Sequence, residues 1–362
     1  MIRTEALTTE ALELLAQLIA TPRTSRNEEA AANLLADFIE GKRFTSDGRE
    51  FYSVHREAHN IWCIAADYDA ARPTLLLNAH IDTVKPVAAW TRDPFHPTWE
   101  GDRLYGLGAN DDGASLVSLL QVFRVLCTRQ RSYNLIYLAS AEEEVSGRDG
   151  LERVRPLLPP ITVALVGEPT GMQPAIAEKG LMVLDVTATG KAGHAARNEG
   201  VNAIYRALPD IEWFRTYRFP KESLLLGPVK MTVTVINAGT QHNVVPDQCT
   251  FTVDVRSNEC YTNEEIYQQV CASVGSEVKA RSFRLGSSHI EPSHPLVQRA
   301  IALGRQPFGS PTLSDQALMP WPSMKMGPGD SARSHTADEY ICRQEILDAI
   351  DDYLTLLDGI KL

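Results

Sequence analysis

Apolar positions recur along the chain with two different rhythms. Up to about residue 170 they come in short unbroken runs, IWCIAA after Asn60, then TLLLNA, NLIYLAS and ITVALVG, the pattern of strands buried on both faces of a sheet. Between these runs the spacing is helical. Leu34, Leu35, Phe38 and Ile39 predict a helix over about 26 to 41, opened by a capping box of Ser25 and Glu28, and a second amphipathic helix precedes it, ending before Pro22. Leu116, Leu119, Leu120, Phe123 and Leu126 share one face of another helix, with Asp112 as its N-cap. Strands alternating with helices imply an α/β fold, a mixed, largely parallel sheet flanked by helices.

Beyond Thr170 the rhythm changes. LMVLDVTATG, VKMTVTVIN and QCTFTVDVRS alternate as half-exposed strands do, a helical segment lies near 200 to 208, NEEIYQQVCASV supplies a second helix and EVKARSFRL a last strand. The order β-α-β-β-α-β predicts an inserted ferredoxin-like α+β domain. The chain then divides into 1–174 and 288–362 for the main domain, and 175–287 for the insertion. A length of 362 residues also favours two domains.

Composition narrows the function classes. With 44% hydrophobic and 22% charged residues the chain reads as a soluble globular enzyme. A net charge of -11 argues against a nucleic-acid partner, which requires a basic face that this balance does not supply. No apolar run approaches the roughly 20 residues of a membrane span, and the stretch after Met1 lacks the pattern of a secretory signal, so a cytoplasmic location is expected. Cys63, Cys127, Cys249, Cys260, Cys271 and Cys342 lie far apart without a CxxC pair, as reduced, mostly buried thiols with no catalytic part do.

The chemistry collects at the ends of the apolar runs. His80 and Asp82 follow TLLLNA, Asp111 lies in GLGANDDG, Glu142, Glu143 and Glu144 follow NLIYLAS, Glu168 follows ITVALVG, and His335 follows the Gly-Pro-Gly turn at 327 to 329. Two imidazoles and several carboxylates in such positions are the ligand chemistry of two adjacent zinc ions sharing a carboxylate, with cobalt or manganese as substitutes. Asp82, two residues from His80, suits the role of orienting the imidazole. Asp111 can bridge two ions, with Asp112 as its competitor. Three successive glutamates at a sheet mouth repel one another unless cations stand nearby, so one can bind metal while its neighbour takes a proton from water. Taken singly, each motif also has a plain reading: a turn histidine, helix caps, an acidic loop. His55, His59, His96, His289 and His294 lack such settings and read as surface or structural.

These motifs, in this order, resemble those of the acetylornithine deacetylase, succinyl-diaminopimelate desuccinylase and aminoacylase family of dinuclear zinc amidohydrolases, over essentially the whole chain. The resemblance implies a zinc exopeptidase-like main domain and an inserted lid through which two copies form a homodimer. It implies two zinc ions, one on His80 and Glu168, the other on Glu144 and His335, bridged by Asp111, with Glu143 as general base. His194 in GKAGHAAR would stabilise the oxyanion in a partner's site, Asn243 in NVVP and Arg256 in VDVRS would recognise the substrate carboxylate, and Gly327 and Gly329 would line the substrate loop. Three departures stand out: Leu107 where many relatives have Arg, Asp112-Gly113 in place of Met-Lys-Gly, and Glu142 in place of Asp. The wording of GLGANDDG and AEEEVSG is closest to the arginine-biosynthesis deacylases. The implied reaction is hydrolysis of an N-acyl-L-amino acid, N-acetyl-L-ornithine or its citrulline or succinyl analogue. The alternatives are a desuccinylase of the diaminopimelate pathway or a dipeptidase and, in another class, a catalytically silent binding protein on the same fold.

Overall fold

The computed structural model describes residues 2–44, 48–197 and 199–362. They form two compact units. The first runs to Ile176 and takes in Ile290–Phe308 and Met319–Leu362; the second is Ala177–His289 with Gly309–Leu318.

The first unit contains, in chain order, α1 (Ile2–Ile19), α2 (Glu29–Glu40), β1 (Tyr52–Glu57), β2 (Asn60–Ala65), β3 (Thr74–His80), α3 (Ala114–Leu126), β4 (Asn134–Ser140) and β5 (Val163–Val166), with a strand Ser323–Lys325 and a helix Arg343–Leu357 near the chain's end. The sheet order is β1–β2–β4–β3–β5 and then Ser323–Lys325. β1, β2 and β4 pair antiparallel; β4 with β3, β3 with β5, and β5 with Ser323–Lys325 pair parallel. Every residue of β3, β4 and β5 is buried, which explains the unbroken apolar runs: central parallel strands have no wet face. α3 lies on β3 and β4, with α1 and Arg343–Leu357 packed against it. The register sets His80 opposite Ser140 and Asn78 opposite Val166. Three strands therefore end together, and the segments leaving them carry His80, the acidic loop and Glu168 to one edge of the sheet.

Two expected caps are absent. α2 begins at Glu29 without a side-chain cap. The Ser25 hydroxyl donates instead to Asp82 Oδ2 at 2.7 Å, and the fully buried Glu28 carboxylate accepts from the Arg26 and Glu142 N–H groups at 2.8 and 3.2 Å. The buried Asp82 carboxylate for Ser25, and the Arg26 and Glu142 N–H groups for the buried Glu28, hold both side chains away from the helix end. Asp112 likewise caps nothing: α3 begins at Ala114, and Asp112 Oδ2 accepts from the His80 N–H at 3.3 Å.

The second unit contains β6 (Met182–Thr189), α4 (Ala203–Thr216), β7 (Lys230–Ala238), β8 (Gln248–Arg256), α5 (Asn263–Ser273) and β9 (Glu277–Ala280). Its sheet order is β7–β8–β6–β9, antiparallel throughout, the split arrangement of a ferredoxin-like unit. Burial alternates along β6 and β8. Leu184, Val186, Phe251 and Val253 face a core with Phe214, Ile266 and Val270 of the helices. α4 continues beyond 208 through Pro209, and the next residue, Asp210, accepts from the Gly275 and Ser276 N–H groups at 3.0 Å. α5 opens with a capping box of Thr262 and Glu265. β9 stops at Ala280, short of the expected EVKARSFRL strand. The segment Gly309–Leu318 joins this unit because the buried Glu178 carboxylate takes the Ser314 N–H and hydroxyl at 2.8 and 2.7 Å. Among the described residues no helix is long and apolar enough to cross a membrane.

Candidate metal centre

His80 ends β3 with its ring buried. Its Nδ1 lies 3.0 Å from the Asp82 carbonyl oxygen and 3.5 Å from Asp82 Oδ1, which turns Nε2 toward Asp111 Oδ1 at 3.2 Å. Glu143 Oε2 and Glu168 Oε1 each lie 3.9 Å from the same nitrogen. The other oxygen of Asp111 faces the second imidazole: His335 Nε2 stands 3.7 Å from Asp111 Oδ2 and 2.9 Å from Glu144 Oε2. One carboxylate thus lies between two imidazoles. Among the described residues, two sets bring ligand atoms within 4.8 Å of one another, His80 with Asp111 and Glu144, and His80 with Glu143 and Glu168. The two histidines differ in access, since the His80 side chain is 2% exposed and that of His335 54%.

Backbone contacts hold each segment. The Asp82 carboxylate, fully buried, accepts from the Glu143 and Glu144 N–H groups at 3.0 and 3.2 Å. Its principal work is therefore on the acidic loop, while its carbonyl is the closer partner of His80. Glu142, in the left-handed region at φ 55°, donates its N–H to Glu28. Asp111 and Asp112 are joined by a cis peptide. The turn before them is held by Glu339, whose Oε2 accepts from Gly108 N–H at 3.0 Å and whose Oε1 accepts from Asn110 and Asp111 N–H at 2.8 Å each. Gly108 is glycine for two reasons: its φ is 73°, and a Cβ there would come within 2.5 Å of the Arg23 guanidinium, which donates to the Gly108 carbonyl at 2.9 Å. The Asn110 amide bonds the Asp330 carbonyl and the Ser334 hydroxyl at 3.1 and 3.3 Å, tying this turn to the segment that carries His335. A Cβ on Gly327 would lie 2.5 Å from the Glu168 carbonyl, and one on Gly329 2.2 Å from Asn110 Oδ1. Close packing thus requires glycine at both positions.

The charges fit divalent cations. Burial, aided by the Asp111 charge, pushes the Glu168 carboxyl well above the usual range, and burial lifts Asp112 and Glu339 to about 7. Burial pulls the His80 imidazole down, but the Asp111 and Asp82 carboxylates outweigh it and raise it well above its ordinary value. Both Arg23, lowered to about 10 by its burial, and Lys325 beside Glu168 supply positive charge. Carboxylates crowded in this way, with imidazoles drawn toward the cationic form, are the donor set that a metal ion satisfies.

The second unit holds the remaining candidates. His194 and Asn243 are neighbours in a short hairpin, where His194 pairs with Val244 and the Ala195 N–H donates to the Asn243 carbonyl at 3.0 Å. Both are exposed. The His194 ring accepts from Ala196 N–H at 3.1 Å. Arg256 ends β8 opposite Lys230 and bonds Asp254 at 2.9 and 3.2 Å. Two of the histidines set aside earlier find structural work: His59 pairs with Glu28 at 3.1 Å, and His294 caps the helix Pro295–Ala302. Glu339, Arg23 and Asn110 did not stand out in the sequence, and Glu28 did so only as a helix cap. Only the position of Glu339, four residues beyond His335, hinted at a shared segment.

Residues 76–358 match the sequence profile described as peptidase family M20/M25/M40. The chain is 28% identical to an acetylornithine deacetylase of Proteus mirabilis over 365 residues, covering 91% of each chain, and 27% identical to a succinyl-diaminopimelate desuccinylase of Delftia acidovorans over 276 residues, covering 72% of each. Its fold is shared with a tripeptidase of Staphylococcus aureus (TM-score 0.73, 19% identity, 97% of each chain) and with a dinuclear metal-binding peptidase of the M20 family from Bacillus subtilis (TM-score 0.71, 17% identity, 97% of each chain). With the family profile spanning most of its length and a cluster of metal-binding donors at the sheet edge, the chain belongs to peptidase family M20/M25/M40 and is a metal-dependent amidohydrolase.

Proposed function

We propose that the protein hydrolyses the amide bond of an N-acyl-L-amino acid, N-acetyl-L-ornithine or its citrulline or succinyl counterpart, releasing a carboxylic acid and the free amine. The observation that carries this reading is the Asp111 carboxylate between the His80 and His335 imidazoles, with Glu143 3.9 Å from His80. His80, Asp111 and Glu168 would hold one zinc ion and Asp111, Glu144 and His335 the other. When bound, the ions acidify a water and polarise the substrate carbonyl. Glu144 is engaged by His335 at 2.9 Å, and its neighbour Glu143 takes the proton from the attacking water and delivers it to the departing nitrogen. Asp82 keeps both glutamates in place through their N–H groups. His194 serves as the donor to the developing oxyanion. Asn243 and Arg256 recognise the α-carboxylate, the planar guanidinium gripping it with two parallel bonds, and Gly327 and Gly329 shape the substrate loop.

One observation favours the succinyl member of this class. Lys179, Lys230 and Arg256 gather in the second unit: Lys230 faces Arg256 across two strands, and Lys179 Nζ reaches the Pro228 carbonyl at 3.5 Å. Partial burial, and then those two cations, lower the Lys179 ammonium. Three cations there suit a substrate with a second carboxylate. The homodimer is supported by the exposed apolar residues Tyr205, Leu208, Val235 and Ile236 on α4 and the edge strand β7, and sedimentation equilibrium measures it. The test of function is turnover of acetylornithine, acetylcitrulline, succinylornithine, succinyl-diaminopimelate and a dipeptide by the zinc-loaded protein, with metal analysis after dialysis. Cleavage of the dipeptide alone would overturn the deacylase reading, and absence of stoichiometric metal together with absence of turnover would return the protein to the silent class.

A further inference from the structure

We infer that Glu339 is the positioning residue of the metal centre, fixing the Asp111 carboxylate through backbone N–H groups so that its two oxygens meet the two imidazoles together. The inference rests on the proposed function only in taking Asp111 as the shared ligand.

Glu339 is 2% exposed and 228 residues from Asp111 in the chain. Its carboxylate takes three N–H groups, those of Gly108, Asn110 and Asp111, and its own carbonyl accepts from the Gly106 N–H at 3.0 Å. The next residues, Tyr340–Cys342, form a strand paired with Arg103–Tyr105, which fixes the height at which the side chain enters. The turn 106 to 111 has no ladder of its own to satisfy these N–H groups, so the carboxylate determines where the turn sits. From the other side Arg23 donates to the Gly108 carbonyl, and the turn is gripped between a buried acid and a buried cation. The consequence falls on both ends of Asp111. Its Oδ1 lies 3.2 Å from His80 and its Oδ2 3.7 Å from His335, so a shift of the turn displaces both contacts. An anchor that held only the His335 segment would affect one.

Cobalt titration of Glu339→Gln separates these cases, read as two dissociation constants and as the visible absorption spectrum at saturation. The amide keeps one acceptor but sets an NH2 against the N–H groups. The expected result is a folded variant in which both metal equivalents bind about 10- to 100-fold more weakly, with an altered cobalt spectrum. A wild-type isotherm and spectrum would overturn the inference, and so would weakening of one equivalent alone. Should Glu339→Gln fail to fold, the same titration of Glu339→Asp decides, because that side chain keeps its charge but falls one methylene short: weakening of both equivalents supports positioning, and wild-type affinity refutes it. The titration uses no substrate, so a failed substrate panel leaves its outcome standing. Wild-type protein that takes up no cobalt would sink the metal reading and this one with it.

Discussion

The two units hold their candidate residues in opposite ways. In the first, the acidic loop, the Asp111 turn and the His335 segment are each fixed by a buried side chain that accepts from backbone N–H groups: Asp82 under Glu143 and Glu144, Glu28 under Glu142, Glu339 under Asp111, and Asn110, whose Oδ1 takes the Asp330 N–H, beside the His335 loop. In the second, His194 and Asn243 lie exposed at a short hairpin, and Arg256 is ion-paired with the half-buried Asp254. Preorganised donors act without reorganisation cost at the moment of reaction. The first unit has that property built in. The second has a packed core beneath exposed candidate residues, which under the proposed function would contribute only once substrate or a partner copy engaged them.

The largest effect should come from the first unit. Glu143→Gln keeps the shape of the loop but cannot accept a proton, so kcat should fall on the order of 10^3-fold while zinc content by atomic absorption stays at the wild-type value. A near-normal rate would show that Glu143 is not the base. Asp82→Ala should follow, for a different reason. It removes the acceptor of two half-buried N–H groups and a hydroxyl, costing about 1–3 kcal/mol in chemical denaturation and roughly 10- to 100-fold in metal affinity. In the second unit the losses should appear in kinetics without loss of stability. His194→Ala should lower kcat by about 10^2-fold with an unchanged melting temperature, and a large drop in melting temperature would mean that the hairpin is more firmly built than its exposure implies. Arg256→Ala should cost about 10- to 100-fold in kcat/KM, the worth of a charge-assisted pair to a carboxylate, read mainly in KM.

The same contrast governs what could be read from the chain. β3, β4 and β5 were legible because strands buried on both faces must be apolar throughout, and charged residues right after them have few reasons to be there except chemistry. His80, the three glutamates and Glu168 drew attention in that way, whereas Asp111 and His335 stood out only through the glycine-bearing turns before them. Alternation in LMVLDVTATG and QCTFTVDVRS matches the alternating burial along β6 and β8, while the strand read from EVKARSFRL stops at Ala280. What escaped were residues whose work is to satisfy backbone across the fold. Glu339 sits in TADEY and Arg23 in TPRTS, ordinary surface-like wording, and their partners lie 228 and 85 residues away. Ser25 and Glu28 were misleading because their spacing suits a capping box, while Asp82 and Glu142 offered them buried partners instead.

The mildest test asks whether the second unit's surface is as lightly held as the comparison says. Arg281 bonds Asp185 twice, at 2.8 Å each, on side chains 58% and 47% exposed. The guanidinium, chiefly by hydrogen bonding, holds the Asp185 carboxyl below its usual value. A depressed folded pKa means that the unfolded chain binds the proton more readily, so the pair's contribution is present above about pH 4, the unfolded value, and is lost as pH falls through the lower folded value. Arg281→Ala should therefore reduce the unfolding free energy by less than about 1 kcal/mol at pH 7, the worth of an exposed pair. The difference from wild type should shrink with added salt and close in acid, with metal uptake unchanged. A loss of several kcal/mol at neutral pH, or one insensitive to acid, would show that this exposed face carries as much of the unit's stability as its core does, and the distinction drawn between the two units would fail there.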